Sequence, residues 1–243
     1  MNSLLEKISK KENGLEQHLE ELRHRIIFCL LWLVITVAIS FFLTPYVIKI
    51  FELLAPKGTS FFQIKPGELF FVYLRISFLL GTLASVPFFL YQFRSFIWPG
   101  LKDNEKKIGN LIIFGSPILF LLGAGFAYFI ALKPMLAFLL GFGVDLALVQ
   151  PQYSLEYYIS LIIAVICILG LAFQIPVLIF VMAIMDLVTS KFLLKFWRQS
   201  LFGSFVLAAI LTPTPDPINM GIVGFAIVAL YAFSVLLVKI IGK

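Results

Sequence analysis

The sequence predicts an all-α polytopic membrane protein with six transmembrane helices and both termini in the cytosol. Three observations carry this. Of the 243 residues, 61% are hydrophobic and 13% charged, with a mean hydropathy of +1.03. A soluble globular chain lies nearer half apolar and a quarter charged. The apolar residues also fall into six runs, most of them long enough to supply the ~20 residues that cross a bilayer core. Finally, the basic residues are asymmetric. With the N-terminus inside, the inner segments collect Arg23, Arg25, Arg94, Lys102, Lys106, Lys107, Lys191, Lys195 and Arg198, among others. The outer loops hold only Lys49, Lys57, Lys65 and Lys133, as the positive-inside rule requires.

Residues 1–25 read as a cytosolic amphipathic helix. Asn13 and Glu16 have capping-box spacing, and Leu15, Leu19, Leu22 and Ile26 follow at helical intervals. The first span covers residues 26–43. The "PYVIKIFELL" stretch after it places Tyr46, Val47, Ile50, Phe51 and Leu54 on one face, which suits a helix lying along the membrane interface. Pro56, Gly58, Pro66 and Gly67 punctuate the rest of that outer loop. The second span covers 69–93, the third 108–132 and the fourth 157–185. Pro87 and Pro117 predict bends, and Pro176 predicts a kink in the fourth span. The two C-terminal spans are shorter, 200–212 and 218–238. At about 13 residues, or ~20 Å, the fifth is short for a ~30 Å core. The "TPTPDP" at Thr212–Pro217 ends it, because three prolines in five residues cannot continue a helix.

Several function classes find no support. Cys29 and Cys167 lie within apolar runs and read as small hydrophobes. His18 and His24 lack the spacing of metal ligands, so neither a metal nor a cofactor is expected. There is no phosphate-binding G-x-x-x-x-G-K-[ST] loop and no nucleophile elbow, and the chain does not read as an enzyme. Its scattered basic residues do not form a nucleic-acid stripe. The first 25 residues carry five glutamates and no small-residue cleavage site, unlike a secretory signal.

Two polar residues in the spans are functional candidates, because polar groups within a bilayer are costly. Arg75 snorkels to the outer interface or pairs with Glu68. Gln174 either glues helices together or has a functional role. One reading makes both of them midplane contacts of a secondary transporter for a small solute. That architecture is built from two related halves, and no such internal symmetry is visible. A purely structural scaffold is a further alternative.

Six stretches in order resemble the TatC family, the polytopic core of the twin-arginine translocase. They are "HLEELRHRI" before span one, "PGELFFVYLRI" opening span two and "FLYQFRSFIWPGLKDNEKK" closing it. "FAYFIALKPMLAFLLGFG", "GLAFQIPVLIF" and "LTPTPDP" complete the set. The resemblance implies a concave bundle of six helices. It also implies a receptor that binds the signal peptides of folded precursors at the cytosolic face of the inner membrane. TatA and TatB type single-span partners, self-association and export driven by the proton-motive force belong to the same expectation.

The resemblance also implies a site. The cargo signal carries two consecutive arginines, and a guanidinium matches a carboxylate bidentately. Glu105, in the "KDNEKK" loop, falls at the family's signal-recognition glutamate, and Glu21 at a second acidic position. These two are expected to converge on the arginine pair, with Phe96 and Leu101 flanking them. Asp103 reads as a solvated acid. Gln174 stands where many relatives have Glu, which leaves it a hydrogen-bonding role towards the signal peptide or a partner helix. Pro56 and Asp216 are expected to shape the outer cap and the turn between the short spans. Arg23 is expected to position the N-terminal helix through a nearby acid.

Overall fold

The computed structural model describes residues 2–56, 59–98, 103–141, 153–212 and 217–242. Among them the chain is almost entirely helical: α1 (Asn2–Glu52), α2 (Glu68–Ile97), α3 (Asp103–Phe126), α4 (Leu132–Gly141), α5 (Leu155–Ala172), α6 (Ile175–Ile184), α7 (Ser190–Lys195), α8 (Trp197–Leu211) and α9 (Pro217–Ile240). A five-residue π-helical segment, Ala127–Ala131, joins α3 to α4. Two short parallel strands, β1 (Phe61–Phe62) and β2 (Tyr153–Ser154), pair Phe61 with Tyr153 and Phe62 with Ser154.

Among the described residues, five stretches are long and apolar enough to cross a membrane: Leu19–Glu52, Glu68–Phe96, Gly109–Gly141, Leu155–Ile184 and Asn219–Ile240. Helix α8 has 15 residues, about 22 Å at 1.5 Å per residue. It falls where the sequence anticipates a short fifth span. The chain is therefore a helical membrane protein with five to six spans. Its outward residues are large and apolar, as at Phe42, Phe202 and Ile240. Small hydroxyl residues such as Thr36, Ser40, Thr44, Ser77 and Ser85 are buried instead.

The chain divides into two compact units. The first comprises Met1–Leu43 and Ser77–Ile113. There α1 and α2 pack antiparallel through a ladder of close contacts. A Cβ on Gly81 would lie 2.7 Å from the Val37 backbone, so only glycine permits this approach. The Thr36 hydroxyl lies 2.7 Å from that of Ser85 and donates to the Gly81 carbonyl at 3.0 Å. Trp32 stacks on Phe88 with centroids 5.0 Å apart.

The second unit comprises Thr44–Ile76 and Phe114–Lys243. Ile76, Leu132, Leu136, Ile159, Ile162 and Leu169 are its largest fully buried apolar side chains. Helices α3 and α5 touch at Gly123, whose Cβ would meet the Leu169 carbonyl at 2.7 Å. A satellite cluster of Ala183, Val188, Leu193, Val235 and Val238 joins α6, α7 and α9. Ser154 caps α5 and Thr189 caps α7, each accepting from a backbone N–H three residues on. Helix α6 ends in a Schellman motif, with Asp186 at φ 60° and bonds from Asp186 N to Ala183 O and Leu187 N to Met182 O.

Four expectations need correction. First, α1 is continuous from Asn2 to Glu52, so Asn13 and Glu16 do not start a helix and the interfacial stretch is its last turns. Pro45 removes one hydrogen bond, but in lipid no water takes up freed backbone groups, so continuing the helix costs less than ending it. Second, the inward face of those turns is Thr44, Ile48 and Phe51, while Tyr46 and Ile50 are exposed. Third, the fourth span is two helices, α5 and α6, broken at Phe173–Gln174. Pro176 lies in the first turn of α6, where its missing N–H costs nothing. Fourth, α7 is a separate element that hydropathy alone did not mark.

Candidate functional site

At the N-terminal part of α1, within the first unit, one guanidinium organises the polar side chains. Arg25 donates from Nε and Nη2 to Glu21 Oε1 at 2.9 and 2.6 Å. Its Nη1 donates to Gln92 Oε1 on α2 at 2.9 Å and reaches the Gln92 carbonyl at 3.5 Å. The helical period causes the first pairing, because an acid four residues before a base lies on the same face. The Glu21 side chain is 43% exposed and that of Arg25 22%. Arg25 also lines a cavity of about 500 Å³. Leu22, Ile26, Phe89, Phe93 and Phe96 give the cavity an apolar wall, and Arg25 and Gln92 form its polar edge. Nearby on α2, the Arg94 guanidinium stacks 4.4 Å from the Trp98 ring centroid, a cation–π contact.

Of the expected site residues, Glu21 and Phe96 belong to this region, Phe96 as a half-buried wall residue. Glu105 lies in the first turn of α3, in the same compact unit. Leu101 and Asp216 lie outside the described residues. Arg23 is exposed, and Glu21 is engaged by Arg25. Sequence reading missed Arg25 and Gln92. The signal for Arg25 was the i,i+4 spacing in "EELRHR"; for Gln92 it was an amide near the end of a span.

Gln174 sits at the break between α5 and α6 and is fully engaged with α3. Ser116 Oγ donates to Gln174 Oε1 at 2.7 Å, and Gln174 Nε2 donates to the Ser116 carbonyl at 3.1 Å. Pro56 is exposed at a turn, where its carbonyl accepts from the backbone N–H and the hydroxyl of Thr59 at 3.2 and 2.8 Å.

A second polar cluster lies in the second unit, where β1 and β2 meet. Glu68 is only 3% exposed. Its Oε2 accepts from the N–H groups of Ile64 and Lys65 at 2.7 and 3.2 Å. Its Oε1 accepts from the Glu156 N–H at 3.1 Å and from the Ser154 hydroxyl. Glu68 thus ties the loop before α2 to the start of α5. Arg75 pairs with Glu156 at 2.9 Å and donates to Ser160. Of the two readings for Arg75, the pairing with Glu68 is corrected, because four donors from two other segments already occupy the Glu68 carboxylate. The Tyr158 hydroxyl closes the cluster by donating to the Phe51 carbonyl at 2.7 Å.

These features define a multi-span helical membrane protein whose ionisable side chains gather in clusters at the ends of its helices. Comparison with known proteins narrows the class. The family model for "Sec-independent protein translocase protein (TatC)" matches residues 17–226. The TatC protein of Synechocystis sp. is 35% identical over 233 residues, covering 96% of this chain and 90% of that protein. The TatC protein of Aquifex aeolicus is 33% identical over 229 residues, covering 93% and 95%. A crystal structure described as the twin arginine translocase receptor TatC superposes with a TM-score of 0.73. It is 32% identical and is covered in full, against 93% of this chain. The chain belongs to the TatC family of Sec-independent protein translocase components.

Proposed function

We propose that this chain is the receptor subunit of a twin-arginine translocase. It binds the paired arginines of a folded precursor's signal peptide at the cytosolic face of the inner membrane, with both its own termini on that side. It then nucleates assembly with TatA and TatB type single-span partners for export driven by the proton-motive force. One observation carries the reading: within a TatC-family chain, Glu21 is exposed in the same compact unit as the helix start that bears Glu105. Two carboxylates there are the acceptors that two guanidinium groups require. The apolar wall containing Phe96 suits the hydrophobic residues of a signal peptide. The reciprocal bonds between Gln174 and Ser116 support a packing role for Gln174, distinct from signal-peptide contact.

The test is binding of a synthetic peptide carrying two consecutive arginines, read by photo-cross-linking and fluorescence anisotropy on the full chain in nanodiscs. Glu105→Ala is expected to weaken binding about 10- to 100-fold, the loss of one charge-assisted hydrogen-bonded pair. Glu105→Arg abolishes binding, and Glu21→Gln weakens it less. Undiminished binding by Glu105→Arg at normal protein abundance overturns the assignment.

A further inference from the structure

We propose that Arg25 is a built-in competitor for the cargo arginines: its guanidinium occupies the Glu21 carboxylate when the receptor is empty and has to leave when a signal peptide binds. The inference rests on the receptor reading above and assigns to the site a residue that sets its affinity threshold.

The occupied acid is the starting point. Glu21 offers an exposed carboxylate next to the cavity-lining Arg25, and that guanidinium already sits on it through two donors at 2.9 and 2.6 Å. This is the chemistry the cargo would bring, supplied in cis. A carboxylate already paired with a cation attracts a second cation less, because its charge is balanced at short range. The pair is also weak enough to be exchanged. It joins residues four apart on one helix face with the acid substantially exposed, a class of ion pair with a small net free energy.

Gln92 makes the exchange feasible. Arg25 Nη1 is held by the Gln92 side-chain oxygen at 2.9 Å, with the Gln92 carbonyl at 3.5 Å. These acceptors are on α2, opposite the Glu21 contact. A guanidinium has five donors, so Arg25 can release Glu21 while remaining bonded to Gln92. The same bonds hold Arg25 in place when no peptide is present. Arg25 is thus a positioning residue acting through Glu21, and the apparent peptide affinity is the intrinsic affinity reduced by the fraction of receptors whose acid is open.

The experiment measures affinity on the full chain in nanodiscs of zwitterionic lipid, so that anionic headgroups do not compete. The probes are a synthetic signal peptide with two consecutive arginines and its twin-lysine counterpart. In Arg25→Gln, both peptides are expected to bind about two- to fivefold tighter and by the same factor, the range set by an exposed ion pair of this kind. The gain disappears in the double variant Glu21→Gln/Arg25→Gln. Arg25→Lys retains the charge but not the fork and gains less; it decides the matter if Arg25→Gln does not fold. Unchanged or weaker binding by the Arg25 variants, with wild type binding normally and depending on Glu21, overturns the competitor and leaves the receptor reading intact. A gain that persists without Glu21 also overturns it. Failure of the wild-type chain to bind the twin-arginine peptide at all overturns the receptor reading, and the competitor with it.

Discussion

Replacing Gln174 by Leu separates a packing role from a recognition role, and the structure sets the size of the effect. The amide makes two bonds to Ser116, at 2.7 and 3.1 Å. Interhelical hydrogen bonds in membranes average about 0.6 kcal/mol and reach about 1.7, so losing both costs about 1–3 kcal/mol. Part returns, because the freed Ser116 hydroxyl can bond back to a carbonyl of its own helix and Leu adds apolar contact. The expected net loss is about 1–2 kcal/mol. The break at Phe173–Gln174 stays, since the Gln174 N–H bond to Leu171 and the Leu178 N–H bond to Gln174 are made by backbone. Ser116→Ala removes only the hydroxyl bond and costs about half as much. Ser116→Ala/Gln174→Leu costs little more than Gln174→Leu alone, because the two side chains share one interaction. The assay is equilibrium unfolding in mixed micelles with a twin-arginine peptide-binding assay alongside. The reasoning is refuted if Gln174→Leu is as stable as wild type yet loses peptide binding.

Two further substitutions probe the frame around the sites. Gly81→Val drives side-chain atoms into the Val37 backbone of α1, where even a Cβ would sit at 2.7 Å. Overpacking of this kind costs about 1–3 kcal/mol, so lower abundance and a lower unfolding midpoint are expected, and an unchanged midpoint contradicts the close approach. Glu68→Ala strands the donors of Ile64, Lys65, Ser154 and Glu156 and is expected to make the loop before α2 more protease-sensitive. Glu68→Gln, which keeps an acceptor oxygen, does so less, and equal cleavage of wild type and Glu68→Ala removes Glu68 from this role.

Membrane character and the presence of several long apolar helices were legible because the length of a hydrophobic run answers mainly to one effect, the transfer of side chains into lipid. Positions where several effects compete were less legible. Pro45 reads as a stop by local rules, yet α1 passes through it to Glu52. Pro176 marks a disruption of the fourth span, but it opens a new helix two residues after the break instead of kinking one. The candidate site divides in the same way. The acid at Glu21 could be placed from the resemblance, but its engagement by Arg25 and Gln92 depends on the register between α1 and α2. That register also depends on Gly81, Thr36 and Ser85, further along both helices. The Arg75 pairing failed for a similar reason. Glu68 was the nearest acid in sequence, whereas Glu156, more than eighty residues away, lies 2.9 Å from the guanidinium.

The arrangement of small hydroxyls within and large hydrocarbons without reverses the mutational tolerance of a water-soluble chain. At an exposed position within a membrane-crossing stretch, such as Phe42, any greasy replacement is admissible in acyl chain and a single charge is the injurious change. At Thr36, Ser77 or Ser85 the constraint is volume: a modest polar atom is accommodated, and a bulky hydrocarbon is what the helices exclude. A saturation library scored by expression would therefore give a hydrophobicity requirement on the perimeter and a size requirement at the helix crossings, two patterns that separate lipid-facing from helix-facing positions.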